Sequence, residues 1–154
     1  MDEPVAYHHL TAADVPLLRG LLQVFADAFD DHDTYLAAIP DDAYLRRLLS
    51  RPHFITIAAV VRDEVVGGLA AYELEKFEQA RSEIYIYDLA VAESYRRRGI
   101  ARGLITDLQH VAAARGAWVI YVQADYGDEP AIALYTSLGV REDVMHFDIP
   151  VRGR

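Results

Sequence analysis

Residues 88–101 read Asp88-Leu89-Ala90-Val91-Ala92-Glu93-Ser94-Tyr95-Arg96-Arg97-Arg98-Gly99-Ile100-Ala101, and two periodicities meet within them. Upstream, residues 83–91 (EIYIYDLAV) are rich in β-branched and aromatic side chains and predict a central strand. Downstream, Ala101, Leu104, Ile105, Leu108, Val111 and Ala112 recur at helical spacing up to Gly116, which acts as a C-terminal stop. A second apolar run, 117–123 (AWVIYVQ), predicts the next buried strand.

On the N-terminal side, runs 54–61 (FITIAAVV) and 65–74 (VVGGLAAYEL) flank Arg62-Asp63-Glu64 and predict a β-hairpin, followed by a polar connection over 76–82. Residues 5–10 predict a short strand. Thr11 then caps a helix that begins at Ala12-Ala13-Asp14 and carries Leu17, Leu18, Leu21, Leu22, Phe25 and Phe29 at helical spacing. An acidic stretch over 27–42 and a short helix over 41–50 complete this half. On the C-terminal side, Asp128 as N-cap and Pro130 in the first turn open a helix that runs to Leu138 and Gly139. A last strand is expected over 144–149, with a frayed tail over 150–154. The order is strand, helices, three strands, helix, strand, helix, strand. It predicts a mixed α/β sheet flanked by helices, in a single domain spanning 1–154.

With 53% hydrophobic and 25% charged residues, the chain can bury a real core. There is no run of about 18 apolar residues, the length a membrane span needs, and Met1-Asp2-Glu3-Pro4 lacks the features of a secretion signal. A soluble cytoplasmic protein is the expectation. The chain has no cysteine, hence no disulfide, thiolate nucleophile or thiolate metal site. Its six histidines show no metal-ligand spacing, and the adjacent His8 and His9 point to opposite faces of a strand, so no metal is expected. Asp and Glu number 24 against 15 Lys and Arg, a formal net charge of −9, and Lys76 is the one lysine. This balance argues against nucleic acid as partner and suits a cationic small molecule. The acidity serves solubility equally well.

The loop Arg96-Arg97-Arg98-Gly99-Ile100-Ala101 has the physics of a pyrophosphate cradle. Backbone N–H groups at a helix N-terminus point outward, the helix dipole favours an anion, and Gly99 lets the backbone come close to phosphate oxygens. The arginines attract a polyanion from a distance. A solvated basic turn would have the same composition.

The pattern Arg-x-x-Gly-x-Ala, after a strand ending Asp-Leu-Ala-Val and before an amphipathic helix, resembles the acetyl-CoA-binding motif of the GNAT N-acetyltransferases. Ala133-Leu134-Tyr135-Thr136-Ser137-Leu138-Gly139 resembles that family's second motif. The segments 76–91, 121–128 and 144–149 are similar to those of GNAT-type aminoglycoside 3-N-acetyltransferases. The resemblance implies the GNAT acyl-CoA N-acyltransferase fold and acetyl-CoA as co-substrate. It also implies acetylation of the 3-amino group of gentamicin-like antibiotics, and so antibiotic resistance. Leu89, Ala90, Val91, Arg96, Arg97, Arg98, Gly99, Ile100 and Ala101 would then hold the cofactor. A homodimer through the apolar C-terminal strand is a further expectation by the same analogy.

The reaction needs an acceptor for the amine's proton and a donor for the departing thiolate. Tyr135 occupies the family's acid position; a core aromatic would show the same helical spacing. Asp88 is the first choice for the carboxylate that meets the amine, with Glu83 second. On a regular strand these two point to opposite faces and reach one pocket only through a bulge; the resemblance to GNAT enzymes implies such a bulge, near 89–91. Each of the two serves equally well as an ordinary ion-pair member. Asp125 and Asp31 are candidates for further substrate ammonium or hydroxyl groups. With no cysteine and no Gly-x-Ser-x-Gly elbow, direct attack in a ternary complex is expected. Two other readings remain: a GNAT enzyme for another amine (a polyamine, a small metabolite or a peptide N-terminus), and a non-catalytic acetyl-CoA-binding module.

Overall fold

A computed structural model describes residues 3–153, and the backbone divides into two compact units, up to Gln123 and from Ala124 onward. The first unit contains β1 (Ala6–His9), α1 (Val15–Ala28), α2 (His32–Leu36), α3 (Asp42–Leu49), β2 (Phe54–Val61), β3 (Glu64–Glu75), β4 (Ser82–Val91), α4 (Ile100–Arg115) and β5 (Ala117–Val122). Its five strands form one sheet in the order β1-β2-β3-β4-β5. Neighbours are antiparallel except β4 and β5, which run parallel because α4 carries the chain back between them. This is the mixed sheet flanked by helices that the sequence predicts.

Local chemistry accounts for the boundaries. Thr11 and Asp14 form a reciprocal capping box, so residues Ala12–Asp14 make a tight 3-10 turn before α1 begins at Val15, with Pro16 in its first turn. The hairpin between β2 and β3 pairs Val61 with Glu64, which leaves the two-residue turn Arg62-Asp63. Both residues have positive φ (49° and 64°), the backbone hand that matches strand twist. Helix α2 is not anticipated by the periodicity, since five residues are too few to show one. Asp31 caps it by accepting from the Thr34 N–H at 3.1 Å.

Every residue of β2 is buried, so helices cover both faces of the sheet. Phe54, Ala58 and Val60 pack with Val15 and Leu18 of α1 and Leu45 and Leu49 of α3. Ile55 and Ile57 point the other way, the face on which α4 lies. Leu21 of α1 sits directly on Gly68 of β3. A Cβ there would come within 2.5 Å of Leu21 Cδ1 and 2.8 Å of the Ile57 carbonyl oxygen.

The second unit holds α5 (Glu129–Leu138), with Asp128 as its cap through the Ala131 N–H. The expected strand over 144–149 does not form. Residues 140–150 are neither strand nor helix, and Val144, Met145, Phe147 and Ile149 are exposed. Alternating apolar residues make a strand only when another strand receives their backbone groups, and no described ladder includes this segment.

Gly68→Ala should overpack the α1 seat, at a cost of about 1–3 kcal/mol. Thermal unfolding would show it as a fall in Tm of roughly 2–12 °C.

Candidate active site

The decisive geometry lies in β4. Ala70 of β3 pairs with Asp88, and its neighbour Ala71 pairs with Ile86, so Tyr87 is an extra residue, a β-bulge. The bulge was expected near 89–91 and stands just upstream, where the alternation has to be reset. Directly opposed residues share a sheet face. Tyr85 opposes Tyr72 and Asp88 opposes Ala70, while Tyr72 and Ala70 lie two apart on β3. Tyr85 and Asp88 therefore point to the same side, as does Glu83 opposite Leu74. Without the extra residue, Asp88 would follow the buried Ile84 and Ile86 toward the opposite face.

A second feature coincides with the bulge. The β4–β5 pairing ends at Ile86↔Val122, yet β4 runs on to Val91. From Asp88 to Val91 the strand pairs with β3 alone among the described residues, and the bulged Tyr87 is in neither register. Its other edge is open, the kind of backbone that can hold a carbonyl oxygen.

Asp88 is half-buried on this face, and the Tyr35 hydroxyl of α2 donates to its Oδ1 at 2.8 Å. No described ion pair includes it. Burial pushes its carboxyl above the ordinary range, against the lowering effect of the Tyr35 bond. Phenols surround it. Tyr72 is pushed up by burial and then by the Asp88 charge. Tyr85 is raised by burial, then by Tyr87, Tyr121 and Asp88. Tyr85 stacks on Tyr121 with centroids 4.7 Å apart and packs on Tyr87 at 5.7 Å, and Tyr87 meets Tyr72 edge-on at 6.2 Å. Sequence reading missed this wall. The pair Tyr85 and Tyr87, two apart on a strand, was its one visible signal.

The other candidate carboxylates have different occupations. Glu83 shares the Asp88 face but lies 3.7 Å from Lys76 Nζ. Asp31 is the α2 cap, and hydrogen bonds from Thr34 hold its carboxyl below the ordinary range. Asp125 lies in the second unit, in the turn before α5, where its carbonyl accepts from the Asp128 N–H. Tyr135 is on α5. Its phenol is pushed up to about 12 by burial and the Asp128 charge, so it stays protonated across the neutral range.

The loop ahead of α4 has the form a phosphate cradle needs. Gly99 is the N-cap in the left-handed region (φ 77°), with no side chain capping the helix and open space where a Cβ would stand. Arg97 is also left-handed (φ 65°). Arg97 and Arg98 are exposed, with Arg98 over the Tyr95 ring, while Arg96 Nε donates to the Val91 carbonyl and closes the end of β4. Ile100 and Ala90 are buried, Ala90 against Leu21, Val24 and Phe25 of α1, so these two have only backbone to offer a ligand. Leu89, Val91 and Ala101 are partly exposed. A groove of about 790 Å³ runs beside this loop, bounded by Gln23 and Asp27 of α1, Glu93 and Arg96; Asp88 lies outside its walls. Among the described residues, no His, Asp and Glu group could hold a metal ion, and no helix is long and apolar enough to cross a membrane.

Residues 18–140 match the family described as Acetyltransferase (GNAT) family. The chain belongs to the GNAT acetyltransferases. An aminoglycoside acetyltransferase from an uncultured soil metagenomic sample is 59% identical, with a TM-score of 0.94 over 96% of this chain and 99% of that one. A second soil metagenomic aminoglycoside acetyltransferase, solved in complex with sisomicin, is 31% identical, with a TM-score of 0.89 over 96% and 97% of the two chains. Among curated relatives, an uncharacterized Mycobacterium leprae protein is 31% identical over 138 residues, 90% of this chain and 35% of its own length. The [Ribosomal protein bS18]-alanine N-acetyltransferase of Escherichia coli K12 is 30% identical over 76 residues, 49% of this chain and 50% of that enzyme. The chain thus spans half or less of the curated relatives it matches.

The raised Asp88 pKa carries a sign. Between the ordinary carboxylate pKa and the higher folded value, the folded state binds more protons than the unfolded one, so this group's contribution to stability falls as pH rises through that window. Asp88→Asn removes that loss. Its Tm should equal or exceed the wild-type value at pH 7, and the difference should shrink toward pH 4 in a thermal-melt series.

Proposed function

We propose that this protein is a single catalytic domain that transfers acetyl from acetyl-CoA to the 3-amino group of gentamicin-like aminoglycosides and thereby confers resistance to them. The observation that carries this reading is Asp88: a half-buried carboxylate with no basic partner among the described residues, beside the unpaired edge of β4 and walled by phenols. A buried charge without a counter-ion is costly, and a substrate ammonium would supply one. The aromatic faces of Tyr72, Tyr85, Tyr87 and Tyr121 suit both a cation and the apolar face of a sugar ring. Likeness over nearly the whole length to the aminoglycoside acetyltransferases supports the substrate class. The 3-amino position rests on the similarity of segments 76–91, 121–128 and 144–149 to 3-N enzymes.

In this reading the exposed Arg97 and Arg98 and the N-terminal amides of α4 bind the pyrophosphate of acetyl-CoA, while the open β4 edge at 87–91 holds the thioester carbonyl. Asp88 pairs with the substrate ammonium and takes one proton from it, so that the nitrogen attacks as the neutral amine. A C–N bond forms, the C–S bond breaks and the second proton of the nitrogen passes to water. Tyr135, protonated at neutral pH, gives its proton to the leaving sulfur. No acetyl-enzyme intervenes. Glu83 and Asp125 add negative charge for further ammonium groups, and Asp31 orders α2. The exposed apolar residues of 144–149 supply a contact surface for a homodimer.

A second reading, acetylation of a peptide N-terminus, is favoured by the relationship to the ribosomal alanine enzyme. Thiol release from acetyl-CoA, measured with gentamicin, spermidine and an alanine-initiated peptide, separates the two. The expected result is turnover with gentamicin alone and an NMR spectrum that places acetyl on the 3-amine. Turnover with the peptide alone would refute the proposal. Tyr135→Phe should lower kcat by about 10²-fold, the low end of general-acid contributions, with little change in the KM for gentamicin.

A further inference from the structure

Tyr35 lies in the acidic stretch between α1 and α3, and neither its periodicity nor its spacing marks it as functional. In the structure it reaches across to β4, 53 residues away, and binds Asp88 Oδ1 at 2.8 Å. Its ring packs on Phe25 of α1 and on Phe29, the residue that ends that helix, with centroids 5.8 and 5.7 Å away. Two aromatic contacts and the Asp31 cap on α2 thus fix a phenol whose hydroxyl meets one oxygen of one carboxylate. We infer that Tyr35 is a positioning residue: its hydroxyl holds Asp88 Oδ1 and leaves Oδ2 as the oxygen that receives the amine's proton. The inference rests on the reading of Asp88 as the carboxylate that meets the amine.

The chemistry of the pair is one-directional. Burial, the hydrogen bond to Asp88 and the charges of Asp88 and Asp31 push the Tyr35 phenol far above its ordinary value, so it remains a donor. Its bond favours the ionised carboxylate and opposes the burial that raises Asp88. The other titratable groups facing Asp88 are Tyr72 of β3 and Tyr85 of β4, with Tyr87 of β4 and Tyr44 of α3 next to Tyr72. Beside Asp88, α1 presents the apolar Leu21, Val24 and Phe25 around Ala90. None of these groups is a cation, so among the described neighbours Tyr35 is the one that stabilises the charged form by a hydrogen bond.

Tyr35→Phe keeps both ring contacts and removes the hydroxyl alone. Two measurements test the inference, with Asp88→Asn as reference. In the first, the acid limb of the kcat/KM–pH profile with gentamicin should move to higher pH in Tyr35→Phe. Its kcat at pH 7 should fall about tenfold, the lower end for a hydrogen bond to a charged group, with the KM for acetyl-CoA unchanged. In the second, carboxyl-carbon NMR of Asp88 should titrate at higher pH in the variant than in wild type, an outcome read without turnover. An unmoved Asp88 titration together with an unmoved acid limb would overturn the positioning role. If Asp88→Asn retains wild-type turnover, the reading of Asp88 itself has failed and the inference falls with it. An inactive Asp88→Asn beside a fully active, unshifted Tyr35→Phe would refute Tyr35 alone.

Discussion

One inserted residue in β4 governs the arrangement of this molecule. The bulge at Tyr87 lets a strand that is apolar toward α4 at Ile84 and Ile86 turn a carboxylate toward α1 and α2 two residues later. Pleating otherwise dictates strict alternation, under which Asp88 would enter the core facing α4. Bulges also add local twist, and here β5 ceases to pair with β4 at Ile86, one residue before the bulge. A displaced carboxylate and an open backbone edge are thus neighbours through one backbone irregularity. Close by on β3, Gly68, opposite Ala90, leaves room for Leu21 of α1 to press on the sheet, and Gly67 for the Ala90 carbonyl and Val91 of β4.

Charge is divided along the chain to match. Arg96, Arg97 and Arg98 stand ahead of α4, where the helix dipole also favours an anion. Around Asp88 the neighbours are phenols and apolar side chains. Lys76 is paired toward Glu83 and Arg115 toward Glu73, and among the described residues no ion pair includes Asp88. A site that would bind a polyanion and a polycation in turn needs these fields kept apart, since a misplaced cation near Asp88 would both neutralise it and repel the acceptor.

Such a site sacrifices stability for readiness. A half-buried carboxylate with a raised pKa is a standing cost to the folded state, and it persists where function needs a poised group. The rest of the first unit offsets it with ordinary means: a strand buried on both faces, a capping box before α1 and a hairpin turn of the right hand.

Much of this was legible in the sequence because it is local. The 2.0 and 3.6 periodicities, Thr11 and Asp128 as caps, and the Arg-x-x-Gly-x-Ala pattern before α4 report on neighbours a few residues apart, and the elements they predict are present almost residue for residue. The last strand failed because residues 144–149 have the right alternation but no partner among the described ladders, and pairing is not a local property. Asp88 could be nominated but its face could not, since bulge position depends on how Ala70 and Ala71 meet it from β3. Tyr35 could not be found at all. Its importance comes from a hydrogen bond across 53 residues, made by a helix too short to leave a periodic trace. Sequence by itself determined the longer elements from β1 to α5, their order and the helix end suited to an anion, because those follow from short-range sterics and dipoles. Tertiary structure decided which carboxylate is half-buried, what holds it and which strand edge stays open, because those depend on register and packing between segments distant in the chain.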